Sequence, residues 1–519
     1  MNVMQYIETD PIIIKQIDGS NLKIITQDKN LLLKIHNHFS YFVDGYKFMP
    51  LFKSGRWDGK NHLFDFIKKE LPIGLLSELK EFCTERSVVF SVELLQDEKE
   101  LINLEQLNEF LNSLGFPEHI ELRDYQKRMV IECINQRRIT AVSSTSSGKS
   151  AVIYVIIRWM LENNLKSFLI VPSVSLVHQM RSDFISYGWD EEHMDTVLHT
   201  IYAGQDKLFK KPVIITTWQS IYSKEVIQTY KDVYDCIIVD EVHKLKFSDG
   251  QKIGNIVLSF VNATHKIGVT GSLPKQELFQ KQIIGCIGPV VKIIDAAGLV
   301  QAGYATDLDI TCVYLKHNAI EYKMFKKNTT KKFTNSTTKN YLIEESFINS
   351  NVLKQEFILK MVSTKIKKNQ NIILFFKRIE YGRKLLELLQ LHFSGKVQYI
   401  DGSVKGTIRE EIRQNTEDLS GSVIVCSYAT FGTGINIKRI HSGIFAENPG
   451  KSDITLIQSL GRFLRQHKEK DKAYIYDIVD VFEDVQKIKK QNYMLKHFQE
   501  RIEVYRDQGW FISEKSYEL

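Results

Sequence analysis

Ser146-Ser147-Gly148-Lys149-Ser150 sets a glycine, a lysine and a hydroxyl in the order that suits a polyphosphate. Backbone N–H groups of such a loop point at phosphate oxygens, and Gly148 lets the backbone come close. Lys149 neutralises the outer phosphates, and the Ser150 hydroxyl can ligate Mg²⁺. A serine-rich turn ahead of a helix would share this composition. Further along, Asp240-Glu241-Val242-His243 follows the apolar run Cys236-Ile237-Ile238-Val239. Carboxylates at the end of such a strand sit where open α/β sheets bind ligands. Asp240 can hold Mg²⁺, and Glu241 can orient and deprotonate an attacking water. Gln458-Ser459-Leu460-Gly461-Arg462-Phe463-Leu464-Arg465 adds two guanidiniums. On one helical face, Arg462 and Arg465 can reach the charge that develops as phosphate leaves, or they can simply bridge acids on a surface helix. Each stretch alone is weak evidence; together they describe a nucleoside triphosphatase.

Strand and helix patterns put these residues where that chemistry needs them. From about Arg138 onward, short β-branched runs alternate with helical patterns, which predicts βαβ units around parallel sheets. Strands are expected at 138–142, 168–171, 213–217, 236–239 and 266–270, with a helix over 151–160. A second set is expected at 371–376, 397–400, 423–426 and 473–476. Two α/β lobes follow. Residues 316–340 hold seven lysines against the single acid Glu321, with Tyr322, Phe325 and Phe333 interspersed, and read as a flexible basic insertion. Such a block is either solvated surface or a nucleic-acid contact. Beyond Val481, the spacing of Phe482, Val485, Leu495, Phe498, Ile502 and Tyr505 predicts C-terminal helices packed on the second lobe.

A chain of 519 residues is too long for one core. At 43% hydrophobic and 25% charged it reads as globular, with no apolar run long enough for a bilayer. The first residues lack the basic start and apolar stretch of a secretory signal, so a cytoplasmic location is expected. The six cysteines show no paired spacing and read as buried thiols. A net charge of +7 permits an anionic partner without requiring one.

The residues resemble superfamily 2 helicases and translocases of the Asp-Glu-x-His type, through both lobes. Arg123 and Gln126, within Leu122-Arg123-Asp124-Tyr125-Gln126, look like that family's adenine-reading segment. Pro172, Ser173 and Gln179, then Thr217, Trp218 and Gln219, are similar to its nucleic-acid motifs. Thr270-Gly271-Ser272 resembles the motif that couples hydrolysis to strand movement, and the resemblance implies that His243, Thr270 and Ser272 relay the change. In the second lobe, Lys377, Gly402 and Thr430 fall at positions that resemble nucleic-acid contacts, Gly434 at a nucleotide contact, and Gln458 beside the γ-phosphate. One departure stands out: Ser144-Thr145-Ser146 replaces the family's usual Pro-Thr-Gly, and Ser143 replaces the loop's first glycine, which bears on nucleotide affinity.

Ahead of the motor, the run from Asp44 to Lys60 with Leu71-Pro72-Ile73-Gly74-Leu75 resembles the start of phage recombination and repair helicases. Its lysines and arginine among Tyr46, Phe52 and Trp57 are a mixture that binds phosphates and stacks on bases. Lys53, Arg56, Trp57 and Lys60 are the candidate contacts, while Phe48 and Phe52 are expected to be partly core. The resemblance implies two tandem RecA-like parallel-sheet lobes with a small α+β N-terminal domain. The expected bounds are 1–115 for the DNA-binding domain, 116–305 for the ATP-binding lobe, 306–480 for the second lobe and 481–519 for C-terminal helices. It also implies ATP and Mg²⁺ as cofactors, and an ATP-driven DNA helicase for fork regression, Holliday-junction branch migration and R-loop unwinding. The expected partners are branched or forked duplex DNA, single strands and RNA–DNA hybrid, with recombination or single-strand-binding proteins, no membrane and a monomeric chain. The alternatives are an RNA helicase, an ATP-switched annealing or binding protein, and a restriction-type translocase, although no nuclease carboxylate-lysine constellation is evident.

Overall fold

The computed structural model describes every residue except 1–10, 96–100, 203, 206, 209, 245–251, 330–338, 435–436, 451–452 and 483–491; side chains at 224, 252, 432–434, 453–455 and 458 are also outside the description. The chain divides between Ile294 and Asp295 into two compact units.

In the first unit, seven strands form a parallel sheet in the order Val290–Ile294, Arg138–Ser143, His265–Thr270, Cys236–Asp240, Ser167–Val171, Val213–Thr217, Leu198–Ile201. The five expected strands are present, each within one residue of its expected bounds. Their near-continuous apolar runs are legible because helices cover both faces, burying Ser167–Val171, Val213–Thr217 and Cys236–Asp240 throughout. The helix Lys149–Glu162 is buried nearly all round, from Ala151 to Ile157 and at Met160, so it runs through the core rather than along the surface.

The small N-terminal sheet, in the order Glu70–Pro72, Asn21–Ile25, Ile12–Gln16, Phe90–Glu93, mixes parallel and antiparallel pairs and encloses its own core around Ile14, Leu22, Phe39 and Phe82. It docks on the motor sheet's helices through backbone approaches that only glycine permits. A Cβ on Gly19 would lie 2.4 Å from the Val261 oxygen, and one on Gly74 1.8 Å from the Ile284 oxygen. The helix Leu104–Ser113, closed by a reciprocal Asn103/Gln106 capping box, sends Leu107 and Phe110 into the motor core, with Phe110 edge-on to Trp159 at 4.9 Å.

The second unit carries another seven-stranded parallel sheet, ordered Val397–Ile400, Val423–Ser427, Ile372–Phe376, Ser442–Phe445, Lys472–Phe482, Asp307–His317, Phe511–Glu518. The sequence reading of 316–340 is corrected over its described part. Lys316 and His317 end a sheet strand, and Ala319–Thr329 is a helix whose Tyr322 stacks on Phe482 at 4.2 Å while Phe325 meets Phe347 at 5.4 Å. These aromatics are half-buried against a core cluster; Lys331, Lys332 and Phe333 lie outside the described residues. The C-terminal segment is also corrected. Phe482 ends a strand, Val485 is outside the description, one helix spans Tyr493–Asp507, and the chain adds the edge strand Phe511–Glu518 beside Asp307–His317. Leu495, Phe498, Ile502 and Tyr505 are all buried on that helix.

Candidate nucleotide and nucleic-acid sites

The phosphate loop leaves the strand Arg138–Ser143 and enters the helix Lys149–Glu162, which puts the helix N-terminus and its N–H groups at the loop. Gly148 sits at φ +75°, and a Cβ there would lie 2.4 Å from the Gln126 amide nitrogen. Ser146 takes φ +70°, a left-handed turn where the expected motif has glycine. Ser143, fully buried, donates to the Ser147 hydroxyl at 2.7 Å, so the serine that departs from the motif braces the loop. Lys149 donates to the Ser143 carbonyl at 3.2 Å. The Gln126 amide group is spent on the protein: Nε2 donates to the Ser147 carbonyl at 3.0 Å, and Oε1 accepts from the Arg123 N–H at 2.8 Å. Tyr125 adds a hydroxyl bond to the same Ser147 carbonyl at 2.8 Å. The segment expected to read adenine thus braces the phosphate loop.

Asp240 ends its strand and accepts the Glu241 N–H at 2.9 Å. Glu241 adopts φ +51°, a strained backbone of the kind concentrated at functional sites. Burial and the adjoining Glu241 charge raise the pKa of Asp240, against the pull of Lys149. At Glu241 the upward push of burial is outweighed by His243 and Lys149, so this carboxylate is held low and ionised. Its Oε2 is buried with no hydrogen-bond donor, although Nδ1 of His243 lies 3.2 Å away. A buried anionic oxygen with unused acceptor capacity beside a lysine and a hydroxyl fits a magnesium-nucleotide and its attacking water.

His243 Nδ1 lies 2.8 Å from Oγ1 of Thr270, which in turn donates to the Ser272 carbonyl at 2.8 Å. The three residues expected to couple are therefore one hydrogen-bonded chain. Beside it, a cavity of about 180 Å³ runs from Asp240 and Glu241 past Lys244 to Pro172, Trp218 and Gln219.

The other expected nucleic-acid positions divide. Ser173 caps the helix Val174–Ser186, and Gln179 and Gln219 are exposed. Thr217 is 3% exposed and its hydroxyl pairs with Ser220 at 2.9 Å; Thr430 is 4% exposed and pairs with Ser427 at 2.7 Å. Both threonine side chains are turn braces rather than surface contacts, which corrects the sequence reading. Lys377 is exposed at the end of its strand, and the buried Glu447 carboxylate accepts its N–H at 2.7 Å and that of Arg378 at 2.8 Å. Gly402 is exposed, with its carbonyl accepting from Arg409 at 3.2 Å.

The helix Asp453–Phe463 ends before Arg465, so Arg462 and Arg465 do not share one helical face as expected. Arg462 lies 5.7 Å from the Phe431 ring, while burial pushes the Arg465 guanidinium down to about 10, still charged at neutral pH. The Gln458 side chain and the surroundings of Gly434 fall outside the description.

In the N-terminal domain, Lys53 and Arg56 are exposed. Trp57 donates to the Lys60 carbonyl at 2.8 Å, and the Lys60 ammonium sits 4.9 Å over Phe42. Phe52 is part-buried, edge-on to Tyr46 at 4.8 Å, but Phe48 is 79% exposed and contributes nothing to the core, against expectation.

One residue beside the phosphate loop escaped the sequence reading: Ser150 Oγ lies 2.7 Å from the hydroxyl of Tyr187, which follows the helix Val174–Ser186.

Three family models match in chain order: DNA helicase UvsW, N-terminal, at residues 11–93; Type III restriction enzyme, res subunit, at 119–275; and Helicase conserved C-terminal domain at 353–467. The ATP-dependent DNA helicase uvsW of Enterobacteria phage T4 is 30% identical over 505 residues, 95% of this chain and 96% of that protein. The DNA 3'-5' translocase XPB2 of Sulfurisphaera tokodaii is 26% identical over 184 residues, 35% of this chain and 38% of that one. A solved structure of the DEAD-box helicase Mss116 bound to ssRNA and UDP-BeF shares the fold, with a TM-score of 0.54 at 14% identity over 82% of each chain. With a relative of that identity matched along nearly its whole length, and a model specific to the N-terminal domain, the chain belongs to the UvsW family of DNA helicases.

Proposed function

We propose that this chain is an ATP-driven DNA helicase that translocates on nucleic acid and remodels branched DNA, by fork regression, Holliday-junction branch migration and R-loop unwinding in phage recombination, replication and repair. The observation that carries the reading is the carboxylate pair of buried Asp240 and half-buried Glu241 at the end of the strand Cys236–Asp240, with the charge of Lys149 acting on both. Lys149 and the loop N–H groups hold the phosphates, and Glu241 orients the attacking water and takes its proton. Mg²⁺, held by Ser150 and Asp240, would offset phosphate charge. Arg462 and Arg465 remain the proposed counter-charge for the leaving phosphate, and Gln458 and Gly434 proposed nucleotide contacts.

His243, Thr270 and Ser272 form the proposed relay; a cavity lined by both Glu241 and Trp218 supports a route from the nucleotide site toward the proposed DNA contacts. Lys53, Arg56, Trp57 and Lys60 are proposed to grip duplex DNA at a branch. We take a monomer acting in the host cytoplasm, alongside recombination or single-strand-binding proteins, as the working form. ATPase and product analysis over forks, four-way junctions, R-loops and RNA duplexes tests this. Stimulation by branched DNA with remodelled products is expected, and stimulation by RNA duplexes alone would overturn it.

A further inference from the structure

The last carbonyls of a helix, and those just past it, have no partners in the helix and must find them elsewhere. At the end of Asp453–Phe463 the backbone's own bonds are long: Leu464 N–H to the Gly461 carbonyl at 3.3 Å, and Arg465 N–H to the Arg462 carbonyl at 3.4 Å. The next three carbonyls are held from outside. Lys470 Nζ donates to the Phe463 carbonyl at 3.0 Å, the Thr306 N–H to the Leu464 carbonyl at 2.7 Å, and the Thr306 hydroxyl to the Arg465 carbonyl at 3.1 Å. Thr306 is 5% exposed and Lys470 4%, so water does not compete for these bonds.

Both donors are themselves fixed. Thr306 immediately precedes the strand Asp307–His317, so it moves with the sheet. A turn in which the Lys470 N–H donates to the His467 carbonyl at 2.9 Å brings Lys470 back under the helix end. Its Nζ also donates to the Lys438 carbonyl at 2.8 Å, and Lys438 in turn donates its N–H to Glu417 at 2.8 Å. Burial holds the Lys470 ammonium down to about 7, with the Arg465 charge adding to the shift. A neutral amine keeps two N–H donors, so both carbonyl bonds survive loss of the proton.

We propose that Thr306 and Lys470 are positioning residues for phosphoryl transfer: by holding the carbonyls from Phe463 to Arg465 they set the direction in which the Arg465 side chain leaves the backbone. The inference rests on the proposed role of Arg465 as counter-charge for the leaving phosphate. Because Arg465 lies past the end of its helix, the helix does not orient it, and these bonds do. A guanidinium aimed slightly wrong loses most of its effect on a transition state while the ground-state complex still forms.

The experiment measures kcat and KM for ATP in the full chain at saturating single-stranded oligonucleotide, with thermal melts to confirm folding. Thr306→Val keeps the shape and the backbone N–H but removes the hydroxyl, and should lower kcat about fivefold to tenfold, the effect of one hydrogen bond. KM should stay within about twofold, because the lost interaction belongs to the transition state. Thr306→Ser, which keeps the hydroxyl, should restore kcat. Lys470→Met should lower kcat in the same way and serves if Thr306→Val does not fold. A kcat equal to that of the unsubstituted chain in either folded variant overturns the proposal, as does a Thr306→Ser protein as slow as Thr306→Val. Arg465→Ala separates the levels: full turnover there sinks the reading of Arg465 itself. Lost turnover there, with full turnover in Thr306→Val, sinks only the positioning.

Discussion

Gly74→Ala tests the docking of the N-terminal domain onto the motor. The added Cβ would lie 1.8 Å from the Ile284 carbonyl oxygen, whereas real Cβ contacts stay above 3.0 Å, so the surfaces must part by about 1.2 Å. The contact is with backbone on both sides, and no side chain can swing away. A shift of that size breaks the Lys281–Glu78 bond at 2.6 Å and the Gly19 N–H to Val261 carbonyl bond at 2.6 Å, and loosens Gln276 from Asp44 at 2.9 Å. One charged and one neutral hydrogen bond contribute roughly 3 kcal/mol together. Strain from overpacking adds about 1 kcal/mol or more. The expected loss of roughly 4 kcal/mol should lower the melting of the first unit by about 6–7 °C in differential scanning calorimetry. Gly115→Ala is the control, because Gly115 has φ +69° with nothing within 4 Å of a Cβ and should cost only about 1 kcal/mol. If Gly74→Ala melted within a degree or two of Gly115→Ala, the domain would not be held by this surface. DNA-stimulated ATPase should fall along with the melting, since the domain could no longer keep its grip aligned with the sheet.

Glu241→Gln should abolish DNA-stimulated ATP turnover while leaving DNA affinity within about twofold, read by phosphate release and anisotropy; normal turnover would remove Glu241 as the base. Arg56→Ala with Lys60→Ala should weaken junction binding and flatten its dependence on salt, and an unchanged salt slope would rule both out as phosphate contacts. Lys266, fully buried, donates to the Val257 carbonyl at 2.9 Å and to Ser20; burial holds its pKa well below the usual lysine value, with Arg138 adding to the shift. The unfolded chain therefore binds this proton more tightly, so stability should rise with pH above the lowered value and level off near about 10.4. Lys266→Met should flatten that rise in urea melts, and an unchanged slope would mean the ammonium is solvated. Arg501 bonds both oxygens of buried Asp477 at 2.9 Å, and Tyr505 adds a third bond at 2.8 Å. Arg501→Ala strands that carboxylate and should destabilise the second unit by about 3–5 kcal/mol in thermal melts, while a loss under 1 kcal/mol would refute the pairing.

The strands nearest the chemistry were legible because a parallel sheet covered on both faces writes an unbroken apolar run into the sequence. Val397–Ile400 was legible although it is an edge strand, but two other edge strands were not. Leu198–Ile201 and Phe511–Glu518 carry histidine, threonine, serine and charged residues, and only pairing with a neighbour makes them strands. Composition also misled where aromatics were concerned. Tyr322 and Phe325 looked like bait for bases in a lysine-rich stretch, yet they pack against Phe482 and Phe347, while Phe48 looked like core and stands in solvent. Aromatic residues serve both purposes, and their neighbours in space decide which.

The residue types of the motor were readable from sequence alone, because phosphate binding and water activation need a particular lysine, hydroxyl and carboxylate at fixed places on a strand or helix end. Lys149, Ser150, Asp240 and Glu241 are of that kind. What each remaining side chain does was decided only by the tertiary structure. Thr217 and Thr430 are turned inward, Gln126 is spent on the Ser147 carbonyl, Arg465 lies past the end of its helix, and Tyr187 meets Ser150. A hydrogen bond depends on direction and distance between residues far apart in the chain, and a linear pattern carries the donor and the acceptor but not their meeting.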